Sequence, residues 1–362
     1  MRIGILGGGQ LARMLVLAGY RLGFSFRILD SQVCSATAEL APCSVGDLSD
    51  AAALEAFARQ VDVVTSENEN IPAQAFQHIS QFVPCYPSPE AIRLTQDRLT
   101  EKQTFDALNI RTAPWLPIES QLDLERAGSK LGYPLVIKCR RMGYDGRGQW
   151  RLRSADQLDA VWREIDGIPC IAEAHVSYAR ELSIIGVFGR DGSSVIYPLA
   201  ENVHRNGILD CSLAPAPNQA PDLQAEAERY LRSLAMHLGY VGTLALELFE
   251  AEGRLLANEC APRVHNSGHW TIEGAKTSQF ENHLRAVAGL PLGSTDPVGL
   301  SFMKNIIGSF PPLSSLLSNP QLHIHSYNKE PKPGRKIGHV TAVAKSSAEL
   351  DIEQVHKLID SN

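Results

Sequence analysis

The stretch RIGILGGGQLARMLVLAG, residues 2 to 19, sets the first constraint on the fold. Arg2 to Leu6 is an apolar run short enough for one buried strand. Gly7, Gly9 and Ala12 then fit the spacing G-x-G-x-x-[GA], and Leu11, Met14, Leu15 and Ala18 fall on one face of a helix that begins at Gln10. A second strand pattern, FSFRILD, ends on Asp30, about where an acid would meet a ribose hydroxyl. Taken alone, these thirty residues describe an NAD-dependent oxidoreductase. The rest of the chain points elsewhere.

Strand and helix patterns alternate to about residue 95. AAALEAFARQ reads as a helix and VDVVTSE as a strand, which predicts a parallel sheet covered on both faces. A further helix begins around Ala91. From about Thr112 the pattern changes to paired strands with tight turns: PLVIKC and GQWRLR around a glycine-rich tip, then CIAEAHV, then LSIIGVFGRDGSSVIYPL with a DG turn. FENHLRAVAG is read as the last helix, and the tail from Val298 as short strands and loops. At 362 residues the chain suits two or three domains. A net charge of -6 with no Lys/Arg block argues against nucleic acid as a partner. No apolar run approaches a membrane span. The seven cysteines are scattered singly with no C-x-x-C, which predicts reduced thiols in a cytoplasmic protein.

Four stretches carry chemistry. In VIKCRRMGYDGRGQW, Lys138 stands at a strand end before Gly143, Gly146 and Gly148, interleaved with Tyr144, Asp145, Arg147 and Gln149. Glycines at a hairpin tip let backbone N–H groups approach a polyphosphate, and a lysine bridges its oxygens. This is no Walker loop, because G-K-[ST] is absent and a strand follows. Downstream, EAHVSYARE supplies Glu173 and Glu181 around extended backbone at Ala174 to Val176, suited to an adenine edge and ribose hydroxyls.

In the hairpin Thr243–Cys260, Glu247 and Glu259 lie inside apolar strands, where carboxylates are costly unless paired or metal-bound. A two-residue turn places them on opposite faces. A three-residue loop, Ala251–Gly253, pairs Glu250 with Arg254 and makes them diagonal neighbours able to share Mg²⁺ with phosphate oxygens. Directly after comes APRVHNSGHW, in which Arg263, His265, Asn266 and His269 crowd together, suiting a small oxyanion such as bicarbonate and a transferring phosphoryl group.

GGGQLARM, DRLTEKQ, GYDGRGQW, LGYVG, NECAPRVHNSGHW and KPGRKIGH resemble the 5-(carboxyamino)imidazole ribonucleotide synthases of purine biosynthesis, within the ATP-grasp superfamily. The likeness runs from about Ile3 to His339. It implies an α/β and α+β chain: a Rossmann-like pre-ATP-grasp domain (1–95), a two-lobed ATP-grasp domain (96–297) and a small C-terminal domain (298–362). It also implies a cytoplasmic homodimer that uses ATP, Mg²⁺ and bicarbonate to carboxylate the exocyclic amine of 5-aminoimidazole ribonucleotide, with no membrane or nucleic acid partner. Another ATP-grasp ligase with a different amine is the near alternative.

Carried across by resemblance, nucleotide contacts fall on Arg98, Lys138, Gly143, Tyr144, Asp145, Gly146, Arg147, Gly148, Gln149, Glu173, Ala174, His175, Val176, Glu181, His204, Asn258 and Glu259. Glu247 and Glu259 match the magnesium ligands. The ribonucleotide falls to Gln10, Glu67, Tyr144, Asp145, Arg147, Lys329, Arg335 and Lys336. Arg263, His265 and Asn266 cradle carboxyphosphate, and Asp145 orients the amine that meets it or carbon dioxide released from it. SENEN departs from the family's acid–apolar–acid pattern at Asn68, which leaves the facing of Glu67 and Glu69 open.

Overall fold

A computed structural model of the chain describes residues 1–143, 148–218 and 220–360. Tyr144, Asp145, Gly146 and Arg147, all candidates above, lie outside the described residues. The expected strand and helix at the start of the chain form at Arg2–Leu6 and Gln10–Tyr20. Arg2–Leu6 pairs in parallel with Ser25–Asp30 on one side and Val63–Ser66 on the other, and Cys43–Val45 adds an edge. Ile3, Ile5 and Leu6 are fully buried, as a parallel sheet covered on both faces requires.

Two further sheets form a clamp. The smaller runs Trp115–Ile118, Cys170–Ala174, Leu135–Cys139, Gln149–Leu152 in spatial order, all antiparallel. The larger begins at the hairpin Gly242–Ala251 and Arg254–Ala261 and continues through Arg180–Phe188, Ala200–Arg205 and Ile208–Ala214. It does not stop there. Leu300–Ile307 pairs with Ile208–Ala214, and Lys336–Ala344 and Leu322–Ser326 follow, so the tail extends the grasp sheet. The tail is also not merely strand and loop. A helix at Ile352–Asp360 follows the one expected to be last, burying Val355 and Ile359 against Phe302 and Val340.

The thiol expectation fails at two positions. Cys34 and Cys43 form a disulfide with Cα atoms 6.4 Å apart, leaving Cys85, Cys139, Cys170, Cys211 and Cys260 free and buried. Parallel pairing of Cys43 with Ile28 returns the chain beside Cys34, a proximity that spacing alone does not encode.

The N-terminal sheet is fastened to the clamp by the helix Gln279–Ala288. Gly19 lets it approach Gln10–Tyr20: a Cβ there would lie 2.8 Å from Leu284 Cδ1. His283 on the same helix is fully buried. Its Nδ1 accepts the Thr243 N–H at 3.0 Å, so Nε2 carries the proton and donates to Thr65 Oγ1 at 2.8 Å. Burial pushes its pKa down to about 4. Burial likewise holds His269 and His339 well below the ordinary imidazole range.

An unfolded histidine takes up its proton near about pH 6.5. The folded imidazole stays neutral, so its contribution is complete above that pH and is lost as pH falls toward 4. The melting temperature is expected to drop between about pH 7.5 and 5. His283→Gln lowers it at the higher pH and shrinks the acid-induced drop. An undiminished drop, read by scanning fluorimetry, contradicts this assignment.

Candidate functional site

The hairpin carries the site's acids by a route other than the expected loop. Ala251 pairs directly with Arg254, so the turn is two residues, Glu252 and Gly253, both with positive φ (51° and 72°). Such a turn alone would separate the acids. The register then shifts between Glu247 and Leu248: Leu248 faces Ala257, while Glu247 faces Glu259. Asn258 is the extra residue, and this bulge places the two carboxylates directly across from each other.

Like charges face to face repel, and the surroundings answer with a guanidinium on one acid and an imidazole beside the other. Arg98, on the helix Arg98–Ala107, reaches Glu259 at 2.5 Å, and His265 Nε2 lies 3.2 Å from Glu247. Burial pushes the Glu259 carboxyl up, but Arg98 and then Lys138 outweigh it and hold its pKa at about 2. Lys138 donates to Asn258 Oδ1 at 2.8 Å and pairs with Glu173 at 2.5 Å. Val136 is opposite Glu173, so Lys138 and Glu173 are diagonal neighbours on one sheet face.

Lys102 was missed by sequence reading. It is 1 % exposed, pairs with the other Glu173 oxygen at 2.6 Å and donates to the Asn258 carbonyl at 2.9 Å. Glu101 beside it accepts the Cys260 N–H at 2.7 Å. The signal was present in DRLTEKQ: Glu101 and Lys102 stand three and four residues after Arg98, on the same helix face. Burial raises the Glu173 pKa, and Lys138 followed by Lys102 overrides it to about 2.

The remaining nucleotide candidates ring this network. Lys138 pairs with Gln149 across the glycine-tipped hairpin. Gly148 has φ +66°, and a Cβ there would strike Cys139 Sγ at 2.3 Å; Gly143 is the last described residue before the tip. Ala174 and His175 donate backbone N–H groups to Pro114 and Pro134, setting the strand exit that leads to Val176. Glu181 accepts from Tyr178 at 2.6 Å and pairs with His204. Burial works against protonation of His204, but Glu181 and the charge on Glu247 raise its pKa.

The anion cluster divides. Burial works against it, but Glu69 and Glu67 hold the Arg263 guanidinium charged, and it forms a two-pronged pair with Glu69, a residue sequence reading left unassigned. His265 remains beside Glu247, while the Asn266 amide pairs with Asn305. His269 does not belong with them. It is 1 % exposed and packs in the core with its ring tilted against that of His339, centroids 4.8 Å apart.

The glycine-rich turn holds a carboxylate. Glu67 fills the space over Gly7 and Gly9, where a Cβ would lie 2.6 Å from its Cγ and 2.8 Å from its carboxylate oxygens. Asp30 accepts the Gly8 N–H at 2.6 Å. Both acids occupy the region that a dinucleotide pyrophosphate and ribose would require. Lys329 comes back from the tail to bond Gln10 at the helix start. Burial raises the Glu67 pKa, against the pull of Lys329 and Arg263. Arg335, half-buried, donates to the Glu330 carbonyl at 3.3 Å after the Gly334 turn, and Lys336 opens the last long strand.

The pattern of ribonucleotide synthetase preATP-grasp domains matches residues 1–96, that of ATP-grasp domains 103–280, and that of the phosphoribosylaminoimidazole carboxylase C-terminal domain 301–353. The N5-carboxyaminoimidazole ribonucleotide synthase of Pseudomonas aeruginosa is 47 % identical over 363 residues, covering 100 % of both chains. The chain belongs to the N5-carboxyaminoimidazole ribonucleotide synthases. The crystal structure of the Thermus thermophilus synthetase superposes with a TM-score of 0.95 at 45 % identity, over 99 % of this chain and 98 % of that one. The synthase from Aspergillus clavatus in complex with ADP and 5-aminoimidazole ribonucleotide superposes at 0.92 with 32 % identity, over 99 % and 97 %. Like its relatives, this synthase is an ATP-grasp ligase that forms a carbon–nitrogen bond, and the oxidoreductase alternative falls.

Lys102→Met leaves Glu173 buried with half its compensation. The expected cost is about 3 kcal/mol by urea denaturation, since breaking a buried pair strands a charge. A loss below about 1 kcal/mol contradicts the role given to Lys102.

Proposed function

We propose that the facing acids, the Lys138 network and the Gln10–Lys329 contact divide one reaction between them. The protein carboxylates 5-aminoimidazole ribonucleotide at its exocyclic amine, consuming ATP, in purine biosynthesis. The single observation that carries the division is the register shift that sets Glu247 opposite Glu259 beside Lys138.

Two facing carboxylates are a hard-oxygen donor pair that fits Mg²⁺, which characteristically takes one or two protein carboxylates and completes its shell with phosphate oxygens. Held there by Glu247 and Glu259, a cation would supply charge neutralisation for the reacting phosphates. Lys138 holds the leaving ADP oxygens, while Glu173, Ala174, His175 and Val176 receive the adenine and Glu181 the ribose. Bicarbonate attacks the γ-phosphorus, and His265 and Asn266 hold the resulting carboxyphosphate with Arg263 behind them, its charge shared with Glu69. Asp145 and the residues of its loop, with Gln10, Glu67, Lys329, Arg335 and Lys336, orient the ribonucleotide. We take the domains to divide near 95 and 297, supported by matches that end at 96 and resume at 301. No helix of the described residues is long and apolar enough to cross a membrane. The family resemblance supports a homodimer acting in the cytoplasm.

Glu247→Gln or Glu259→Gln is expected to lower kcat on the order of a hundredfold or more, with circular dichroism unchanged. Near-normal turnover at ordinary magnesium removes the shared-cation assignment. Arg335→Ala is expected to raise KM for aminoimidazole ribonucleotide about tenfold and leave KM for ATP within about twofold. The reverse pattern assigns the tail to the nucleotide half.

A further inference from the structure

Asn305 lies on the strand Leu300–Ile307, in the segment matched by the C-terminal domain, and is 1 % exposed. Its amide meets that of Asn266 in a reciprocal pair. Asn266 Nδ2 donates to Asn305 Oδ1 at 3.1 Å, and Asn305 Nδ2 donates to Asn266 Oδ1 at 2.9 Å. A third bond breaks the symmetry: Asn305 Nδ2 donates to the Leu209 carbonyl at 2.8 Å.

A backbone carbonyl can only accept, so Leu209 fixes which end of the Asn305 amide is nitrogen. That choice fixes the Asn266 amide in turn. With one Asn266 N–H spent on Asn305, the second remains as a donor on the half-buried side chain next to His265. A flipped Asn266 would offer its carbonyl oxygen there and repel an anion.

We propose that Asn305 is a positioning residue that locks the Asn266 amide with its N–H group toward the bicarbonate-derived anion. The proposal rests on the reading of His265 and Asn266 as the anion site. The tail of the chain then serves both substrates: Lys329 and Arg335 for the ribonucleotide, Asn305 for the anion.

Asn305→Leu removes all three bonds. Asn305→Asp keeps the shape and still accepts from Asn266, but its ionised carboxylate cannot donate and faces the Leu209 carbonyl and the Asn266 oxygen. The symmetric carboxylate accepts equally from either orientation of the Asn266 amide, so its N–H group is no longer held outward. The test measures KM for bicarbonate in degassed buffer, a quantity independent of the fraction of enzyme that is folded. Asn305→Leu is expected to raise it at least about fivefold and Asn305→Asp at least as much, with KM for ATP within about twofold. Asn266→Ala raises it similarly, and adding Asn305→Leu to Asn266→Ala changes it no further. If Asn266→Ala raises KM for bicarbonate and the Asn305 variants do not, the positioning role is overturned and the anion site stands. If Asn305→Asp is milder than Asn305→Leu, Asn305 acts through packing and the proposal fails. If Asn266→Ala leaves KM for bicarbonate unchanged, the anion-site reading itself fails.

Discussion

One bulge residue, Asn258, governs the site. Without it the tight Glu252–Gly253 turn would send Glu247 and Glu259 to opposite faces of the sheet. With it, two carboxylates face each other, and everything around them answers that charge. Arg98 and His265 each take one acid. The bulge then contributes twice more: the Asn258 side chain receives Lys138, and its carbonyl receives Lys102. Through those lysines and Glu173, the small sheet and the long hairpin are tied into one electrostatic unit.

Continuity of the large sheet brings the tail to the N-terminal sheet. Because Leu300–Ile307 pairs with Ile208–Ala214, the tail is carried past the clamp and back toward the N-terminal sheet. There Lys329 meets Gln10, while Glu67 occupies the turn that opens the chain. The same glycines that suit a dinucleotide suit a carboxylate just as well. Small residues make space, and what fills the space is decided by a strand sixty residues later.

That example marks the boundary of what the sequence could reveal. The alternation of strands and helices, the strand pair that follows Lys138 and the placing of Glu247 and Glu259 on one face were all legible, because periodicity and local chemistry carry them. The turn length was misjudged because a bulge and a three-residue loop leave similar sequence traces, and only the register distinguishes them. The Cys34–Cys43 bridge and the core placement of His269 depend on contacts between distant segments. Lys102 was legible and passed over. Asn305 was not, since a lone asparagine in an apolar strand declares a partner only when the partner is in place.

The central claim is that Glu247 and Glu259 jointly bind a divalent cation together with the nucleotide phosphates. Crystals grown with Mn²⁺ and a non-hydrolysable ATP analogue test it through the anomalous signal of manganese. The expected result is a peak within about 2.2 Å of an oxygen from each carboxylate and of the phosphates, with Arg98 displaced from Glu259. A peak ligated by phosphate and water alone, with Glu247 and Glu259 still held by His265 and Arg98, contradicts it.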